Sequence, residues 1–479
     1  MSVNESHRFS PTLLLESNVF HRQLSTYVLN SNVNDDFETT QPEGPGNEPT
    51  ANAINDVNQL RSGVSLQLTS TSPIAGHGNQ FTAGSSFENG FTKFTQSNQD
   101  AGASRDTTSS KPVELQTSLH ARASDAGMFA TDTLGLDART FLNVAGRYNL
   151  ANVDLADQLG TALNGRHTFK RFNPAVGLTF NPTSAITVYG AYNEGMRVPT
   201  PVELSCADPN APCSLPNAFS SDPSLKPVIS HNAELGARGD AGAHVQWSVA
   251  VFHTDLHDDI QFISSGGGAT SAGYFQNVGN TRRRGVEIGL KTQGQSLTLS
   301  AHYSIVDATF RTALVLNSPD NSTAGAVSCD TCADIRVRPR NHLPDIPRNT
   351  FKLRADYALG QAASLGASFV MQGGQYARGD ENNADVNGKI PGFGLLNIDG
   401  RVNLGARWEA FANVDNVFDR RSSSFGTLGQ NVFTGPGQTF DATGTSWRAE
   451  QFRAAGAPRG IWLGLTLHFG SNNSNNENS

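Results

Sequence analysis

A transmembrane antiparallel up-and-down β-barrel of about 16 strands is the fold this sequence predicts. Three observations point to it: runs of strict apolar/polar alternation, connections that are short and long in turn, and little apolar material for a chain of 479 residues. In Ser296-Leu-Thr-Leu-Ser-Ala-His-Tyr-Ser-Ile305, residues Leu297, Leu299, Ala301, Tyr303 and Ile305 share one face and Ser296, Thr298, Ser300, His302 and Ser304 the other. That is the period of two of a strand. Phe351, Leu353, Ala355 and Tyr357 repeat it, as do Leu396, Ile398, Val402 and Leu404. A half-buried soluble sheet also alternates, so the connections decide. Gly135–Ala138, Asn181–Ser184, Gly239–Ala243, Thr292–Gln295, Leu359–Ala362 and Leu404–Arg407 read as tight turns, and Asn-, Ser-, Gly-, Pro- and Asp-rich stretches lie between them. Loops beyond about 15 residues are uncommon in compact soluble domains, whereas a transmembrane barrel has short turns at one rim and long loops at the other.

In chain order, strands are expected near 12–30, 60–70, 79–91, 127–135, 140–150, 171–181, 185–194, 231–239, 244–262, 284–292, 296–306, 349–358, 363–373, 394–404, 407–418 and 461–469. The segment 111–122 either extends a strand or remains loop. An even count suits a bacterial barrel. In the last strand Ile461, Leu463, Leu465, Leu467 and Phe469 are placed on the lipid face, with the terminal aromatic at the interface. No repeat of 20 to 50 residues suggests a solenoid or propeller.

Composition is consistent with this reading. Hydrophobic residues make up 37% of the chain and glycines number 47, while mean hydropathy is −0.37. No run of about 18 apolar residues reads as a membrane helix. The formal charge of −8 argues against nucleic acid as a partner.

The cysteines form two close pairs, Cys206 with Cys213 and Cys329 with Cys332, each inside a long connection. Two loop disulfides are expected. Zinc is disfavoured at Cys329-Asp-Thr-Cys332 because no second pair lies at ligand spacing, and a redox role because no βαβ pattern surrounds it. Met1-Ser-Val-Asn-Glu-Ser-His-Arg8 has no apolar segment of a secretory signal, so a fragment or a start placed within a longer reading frame is expected.

Four motifs then carry a resemblance. Val188-Tyr-Gly-Ala-Tyr-Asn-Glu-Gly-Met-Arg-Val-Pro-Thr-Pro-Val-Glu-Leu204 comes with Asp222-Pro-Ser-Leu-Lys-Pro227 and Asn232-Ala-Glu-Leu-Gly-Ala-Arg238. Asn277-Val-Gly-Asn-Thr-Arg-Arg-Arg-Gly-Val-Glu-Ile288 follows, then Phe411-Ala-Asn-Val-Asp-Asn-Val-Phe-Asp419 and Gly456-Ala-Pro-Arg-Gly-Ile-Trp-Leu-Gly-Leu-Thr-Leu-His-Phe469. In this order they resemble TonB-dependent outer-membrane receptors, over nearly the whole chain and most firmly from about residue 126. The resemblance implies a Gram-negative outer-membrane location, outer-membrane lipid as surroundings and uptake of a scarce ligand, most commonly a ferric siderophore. It implies no enzyme activity and no cofactor. Such receptors carry a plug with a TonB-engaging motif before a barrel of about 22 strands. On this reading, residues 1–469 are the barrel portion, and the plug, the TonB motif and about six strands fall outside it. Coupling to TonB would then depend on segments encoded upstream. Residues 470–479, all polar but one glycine, are expected to be a disordered tail.

The residues also allow readings without the family. Asn413, Asp415 and Asn416 are expected at the rim, satisfying backbone groups at a strand end. His253, Asp255 and His257 share a strand face, at a spacing a cation could bridge, but the simpler reading is a polar strand end. Arg282, Arg283 and Arg284 suit an anionic ligand at the mouth or an ordinary charged rim. No Ser, His or Asp sits in a Gly-x-Ser-x-Gly context. Tyr192, Arg197, Phe219 and Tyr274 are loop-proximal candidates for ligand contact. Three functions stay open: an energy-coupled receptor, a plug-free passive pore or surface-binding barrel, and a non-functional fragment whose open sheet edges lipid cannot satisfy.

Overall fold

The computed structural model describes residues 1–34, 37–42, 44, 46–101, 109–207, 213–214, 225–264, 272–328, 332–405 and 407–469. Seventeen strands form one antiparallel sheet: β1 (Ser2–Ser10), β2 (Leu13–Val33), β3 (Thr50–Ser70), β4 (Asn79–Ala101), β5 (Glu114–Gly135), β6 (Thr140–Asp157), β7 (Gly165–Thr183), β8 (Ile186–Arg197), β9 (Val228–Ala241), β10 (Val245–His257), β11 (Thr281–Gln293), β12 (Leu297–Phe310), β13 (Asn349–Leu359), β14 (Ala363–Gln372), β15 (Phe393–Asn403), β16 (Trp408–Asp415) and β17 (Gly460–Leu467). Each strand pairs with its neighbours in sequence, an unbroken meander. Among the described residues no pairing joins β1 to β17.

The expected alternation is realised across strands. Leu297, Leu299, Ala301 and Tyr303 stand opposite Tyr357, Ala355, Leu353 and Phe351, so apolar residues line one face from strand to strand. That outer face carries the large exposed apolar side chains, among them Met128, Phe172, Leu235 and Leu365. The inner face is polar and ion-paired. Arg147 donates to Ser86 Oγ (2.8 Å), Tyr189 to Glu234 (2.8 Å), and Arg354 pairs with both Asp356 and Asp399.

Short turns gather at one end, at 136–139, 184–185, 242–244, 294–296, 360–362 and 404–407, and long connections at the other. Gly242 takes a left-handed φ of +70° in its turn, a conformation glycine adopts without steric cost. At Gly285 a side chain is excluded by crowding, since a Cβ there would lie 2.1 Å from the carbonyl oxygen of Ile305.

The strand count is 17 where about 16 was expected. The addition is β1, whose Val3, Glu5, His7 and Phe9 give no apolar stripe. Strands β3 to β7 are much longer than their alternation suggests, at 18 to 23 residues, whereas β2 agrees with the expected 12–30 to within three residues at either end. The ambiguous segment 111–122 lies largely within β5. The expected strand 244–262 breaks at Asp258, where φ is +52°. Ile260–Ser264 instead pairs with Ala272–Asn277, which in turn pairs with Cys213–Ser214. In the last strand Ile461, Leu463 and Leu465 are exposed, as is Phe469 just beyond it. The tail 470–479 lies outside the described residues.

Candidate functional site

The long connections meet at one rim of the sheet. Segment 198–207 folds over the inner face of β4 to β7. There Phe94, Leu119, Ala121, Val153, Leu155 and Phe169 form one apolar cluster with Leu204, Cys206 and Ala207. A helical turn, Pro201–Leu204, holds the segment in shape. Thr200 Oγ1 accepts from Glu203 N (3.2 Å) and Glu203 accepts from Thr200 N (2.8 Å), the reciprocal arrangement of a capping box. Arg197 Nη1 donates to both Glu203 carboxylate oxygens (2.9 and 2.8 Å).

Beneath this segment lies a cavity of about 610 Å³, lined by Val57, Arg61, Glu88, Phe94, Leu119 and Pro201 among others. Its size falls within the range of small-molecule sites. Its walls are mainly apolar, with the Arg61–Glu88 ion pair along one side.

A second apolar cluster unites the connections after β10 and β12: Ile263, Tyr274, Val278, Phe310, Leu316, Ile335, Val337 and Leu343. Arg378 joins this roof together. Its guanidinium lies over the rings of Phe262 (5.5 Å) and Phe425 (5.3 Å) and 3.6 Å from Asp345. Its backbone pairs with Gly426 and Leu428. Nearby, Asn321 Nδ2 donates to the Gly379 carbonyl (2.8 Å), and Asp380 Oδ1 accepts from Ala384 N and Asp385 N (2.8 and 2.9 Å). Glu381 is fully buried, which pushes its carboxyl up to about 7 against the opposing donation from Gly379 N–H. Burial likewise raises Asp345 to about 6, although Gly426 N–H and Arg378 favour its charged form.

The residues singled out from the sequence do not converge. Tyr192 stands on the outer face opposite Val176 and Ala233 and donates to Glu194 (2.9 Å). Arg197 is engaged by Glu203, and Tyr274 is buried in the second cluster. Phe219 lies outside the described residues. His253 Nε2 is 3.2 Å from Asp255, whose oxygens accept from Arg282 (2.6 and 2.9 Å). The three consecutive arginines go to different carboxylates, Arg282 to Asp255, Arg283 to Asp259 and Arg284 to Asp307. Among the described residues no three His, Cys, Asp or Glu side chains are grouped to hold a metal ion.

Cys206 and Cys332 each take part in a disulfide. Cys329 lies outside the described residues. The backbone of Cys213 stands opposite Gly273, whose carbonyl is 3.6 Å from Cys206 Sγ. Asn416 fulfils its expected role at the rim. Its side chain donates to the carbonyls of Arg420 (2.9 Å) and Ala457 (3.1 Å), and its N–H donates to Asn397 (2.8 Å). Arg378 carries no signal in the sequence, because it lies in a connection without periodicity.

A seventeen-stranded meander with turns at one end and a folded roof at the other agrees with a family comparison. The TonB dependent receptor-like, beta-barrel family matches residues 3–417. The chain belongs to the TonB-dependent receptor family. Members of this family are outer-membrane receptors and transporters, not enzymes. Among solved structures, this receptor barrel is similar to the siderophore receptor PiuA from Acinetobacter baumannii, with a TM-score of 0.68, 15% identity, 97% of this chain and 63% of that one covered. It is similar to the ferric-catecholate import receptor Fiu from E. coli K12, with a TM-score of 0.67, 14% identity, and coverage of 98% and 63%. It is also similar to the copper transporter OprC, with a TM-score of 0.68, 16% identity, and coverage of 98% and 64%. The chain thus spans less than two thirds of the length of these receptors. At these identities the likeness concerns the fold.

Proposed function

We propose that this chain forms the outer-membrane barrel of a receptor for energy-coupled uptake of a scarce ligand, a ferric siderophore in the first instance. The observation that carries this reading is the roof. Connections after β8, β10, β12, β14 and β16 are tied into one layer by two apolar clusters and the Arg378 hub, on the inner side of a wall whose outer face is apolar. A passive pore needs no roof of this kind. PiuA and Fiu, a siderophore receptor and a ferric-catecholate import receptor, favour iron chelates as cargo, and OprC marks copper as the competing class. Coupling to TonB is part of the same proposal, supported by family membership and dependent on a plug and TonB motif encoded upstream.

The test is uptake of ⁵⁵Fe-labelled catecholate siderophore and of copper by cells lacking the gene and by cells in which it is restored. Iron uptake that follows the gene and requires TonB is the expected result. Copper accumulation without iron uptake would replace the cargo. Ion conductance by the purified protein in a planar bilayer, with neither uptake present, would make the passive pore the function.

A further inference from the structure

The roof connection after β12 carries a run of arginines that no carboxylate answers. Leu314–Asn317 and Asp334–Val337 pair as an antiparallel ribbon, with Leu314 opposite Val337, Val315 opposite Arg336 and Leu316 opposite Ile335. Successive side chains of a strand point to opposite faces. Leu316, Ile335 and Val337 therefore pack into the second apolar cluster, while Arg336 stands on the other, exposed face beside Val315. Arg338, two residues on and so about 7 Å away, is exposed as well. Both arginines line one groove of about 430 Å³ with Thr323, Asn341 and Asn382. The polar side of this groove is fixed from within. Asn341 Oδ1 accepts from Arg338 N–H (2.6 Å), Asn341 Nδ2 donates to the Asn382 carbonyl (2.9 Å), and Asn382 Nδ2 donates to Thr323 Oγ1 (2.8 Å).

A third arginine follows at a turn. Asn341 N–H donates to the Arg338 carbonyl (3.0 Å), and Arg340, after Pro339, takes a φ of +83°. That is the position a type II turn ordinarily gives to glycine, and a bulky residue there is strained. Arg340 is exposed next to the groove. Arg336, Arg338 and Arg340 have no side-chain hydrogen bond or ion pair among the described residues. Asp334, the carboxylate that lines the groove, is buried and accepts from the N–H (3.0 Å) and the hydroxyl of Ser328. Other roof arginines are answered, Arg197 by Glu203, Arg283 by Asp259 and Arg378 by Asp345.

We propose that Arg336, Arg338 and Arg340 form a docking site on the roof for a polyanionic metal chelate, one that presents carboxylates at its surface. Two guanidiniums about 7 Å apart on one face call for two separate anionic groups on one ligand. Each guanidinium offers paired donors that match a carboxylate. The groove is of small-molecule size, and no aromatic residue lines it, which suits a hydrophilic chelate over an aryl one. The cavity beneath segment 198–207, with its mainly apolar walls, has the opposite character. This inference rests on the uptake reading and narrows the cargo by its charge.

The test is equilibrium dialysis of the purified, refolded protein against ⁵⁵Fe-labelled iron(III) citrate and, separately, against the cationic trihydroxamate chelate ferrioxamine B. The native protein is expected to bind the citrate complex, less tightly as salt rises, and to leave ferrioxamine B in solution. R336Q and R338Q are each expected to weaken binding of the citrate complex about tenfold. R448Q, which removes a roof cation already paired with Glu450, should leave it unchanged. R340G separates binding from the stability of the turn. Glycine suits that position, so the thermal melt should not fall while binding weakens about tenfold; a lowered melt with binding intact would overturn the proposal. Native affinity in R336Q and R338Q, equal binding of the two chelates, or no binding of the citrate complex by the native protein would each overturn it too. So would equal affinity for iron-free citrate, which would mark a free-anion site. Arginine-dependent binding without gene-dependent iron uptake in cells would count against the uptake reading alone.

Discussion

Strands β2 to β7 and strands β8 to β17 make the same wall in two ways. The first group runs 18 to 23 residues per strand, twice the 9 to 11 or so that a tilted strand needs to cross a bilayer. The second group runs 8 to 14 and puts its remaining residues into long connections. On one side height comes from backbone ladders, on the other from side-chain packing in the roof. Ladder hydrogen bonds tolerate almost any side chain, so the tall strands remain regular through polar stretches such as Thr92–Ala101. The roof depends on particular residues.

The largest effect should come from breaking register. Deleting Ala243 from the turn 242–244 shifts the pairing of β9 with β10 and moves every side chain on one strand to the wrong face. The folded, heat-modifiable band on a gel is expected to vanish, whereas deleting Thr443 from the long connection after β16 should leave it intact. Equal behaviour of the two deletions would erase the distinction between the rims.

Opening the roof disulfide by Cys206→Ser is expected to cost about 2–4 kcal/mol of local stability. It should appear as faster hydrogen exchange in 198–207 and 272–278 with exchange in β2 to β7 unchanged. Cys206 and Cys213 are the pair we expect, and peptide mapping under non-reducing conditions checks it. Arg378→Ala removes contact with two rings and one carboxylate, at about 1–3 kcal/mol. Limited proteolysis should then cut within 373–392 or 416–459 before it cuts any strand.

Acidity separates the two regions without a mutation. Glu381 and Asp345 titrate near 7 and 6 in the fold, against 4.5 and 3.8 as ordinary values. Because folding raises both, the stability they contribute is complete below about pH 4 and is lost as pH rises through 6 to 7. Hydrogen exchange in 373–392, corrected for the intrinsic rate, should therefore be slower at pH 5 than at pH 8, and Glu381→Gln should flatten that dependence. The smallest effect is expected at the wall. Arg61→Ala removes a pair whose arginine is mostly exposed, which should shift stability by no more than about 1 kcal/mol in a thermal melt.

The wall was legible in the sequence where it meets lipid, since only there does one face demand apolar residues. Past the band the outer face of β3 and β4 no longer alternates although the ladder continues, so the expected strands fall short at the roof end, β3 beginning ten residues late and β4 ending ten residues early. The inward-facing Phe94, Leu119, Val153 and Phe169 even oppose the pattern, because they pack under segment 198–207 rather than against lipid. The roof was not legible. Arg378, Asp345 and Phe425 are brought together across connections without periodicity, and Tyr274, chosen for its type, serves as packing. At Asp258 and Asn416 a non-glycine residue adopts positive φ and ends a strand that its composition would have prolonged.

The unbroken meander has a consequence for how such a wall changes over generations. Each strand depends for its register on its two sequence neighbours alone. A duplicated or deleted hairpin therefore leaves every other pairing in place, with inside and outside preserved, while a single added strand would reverse the direction of all that follow. The inheritable unit of circumference is two strands and the turn between them, and diversification of the roof proceeds independently of it.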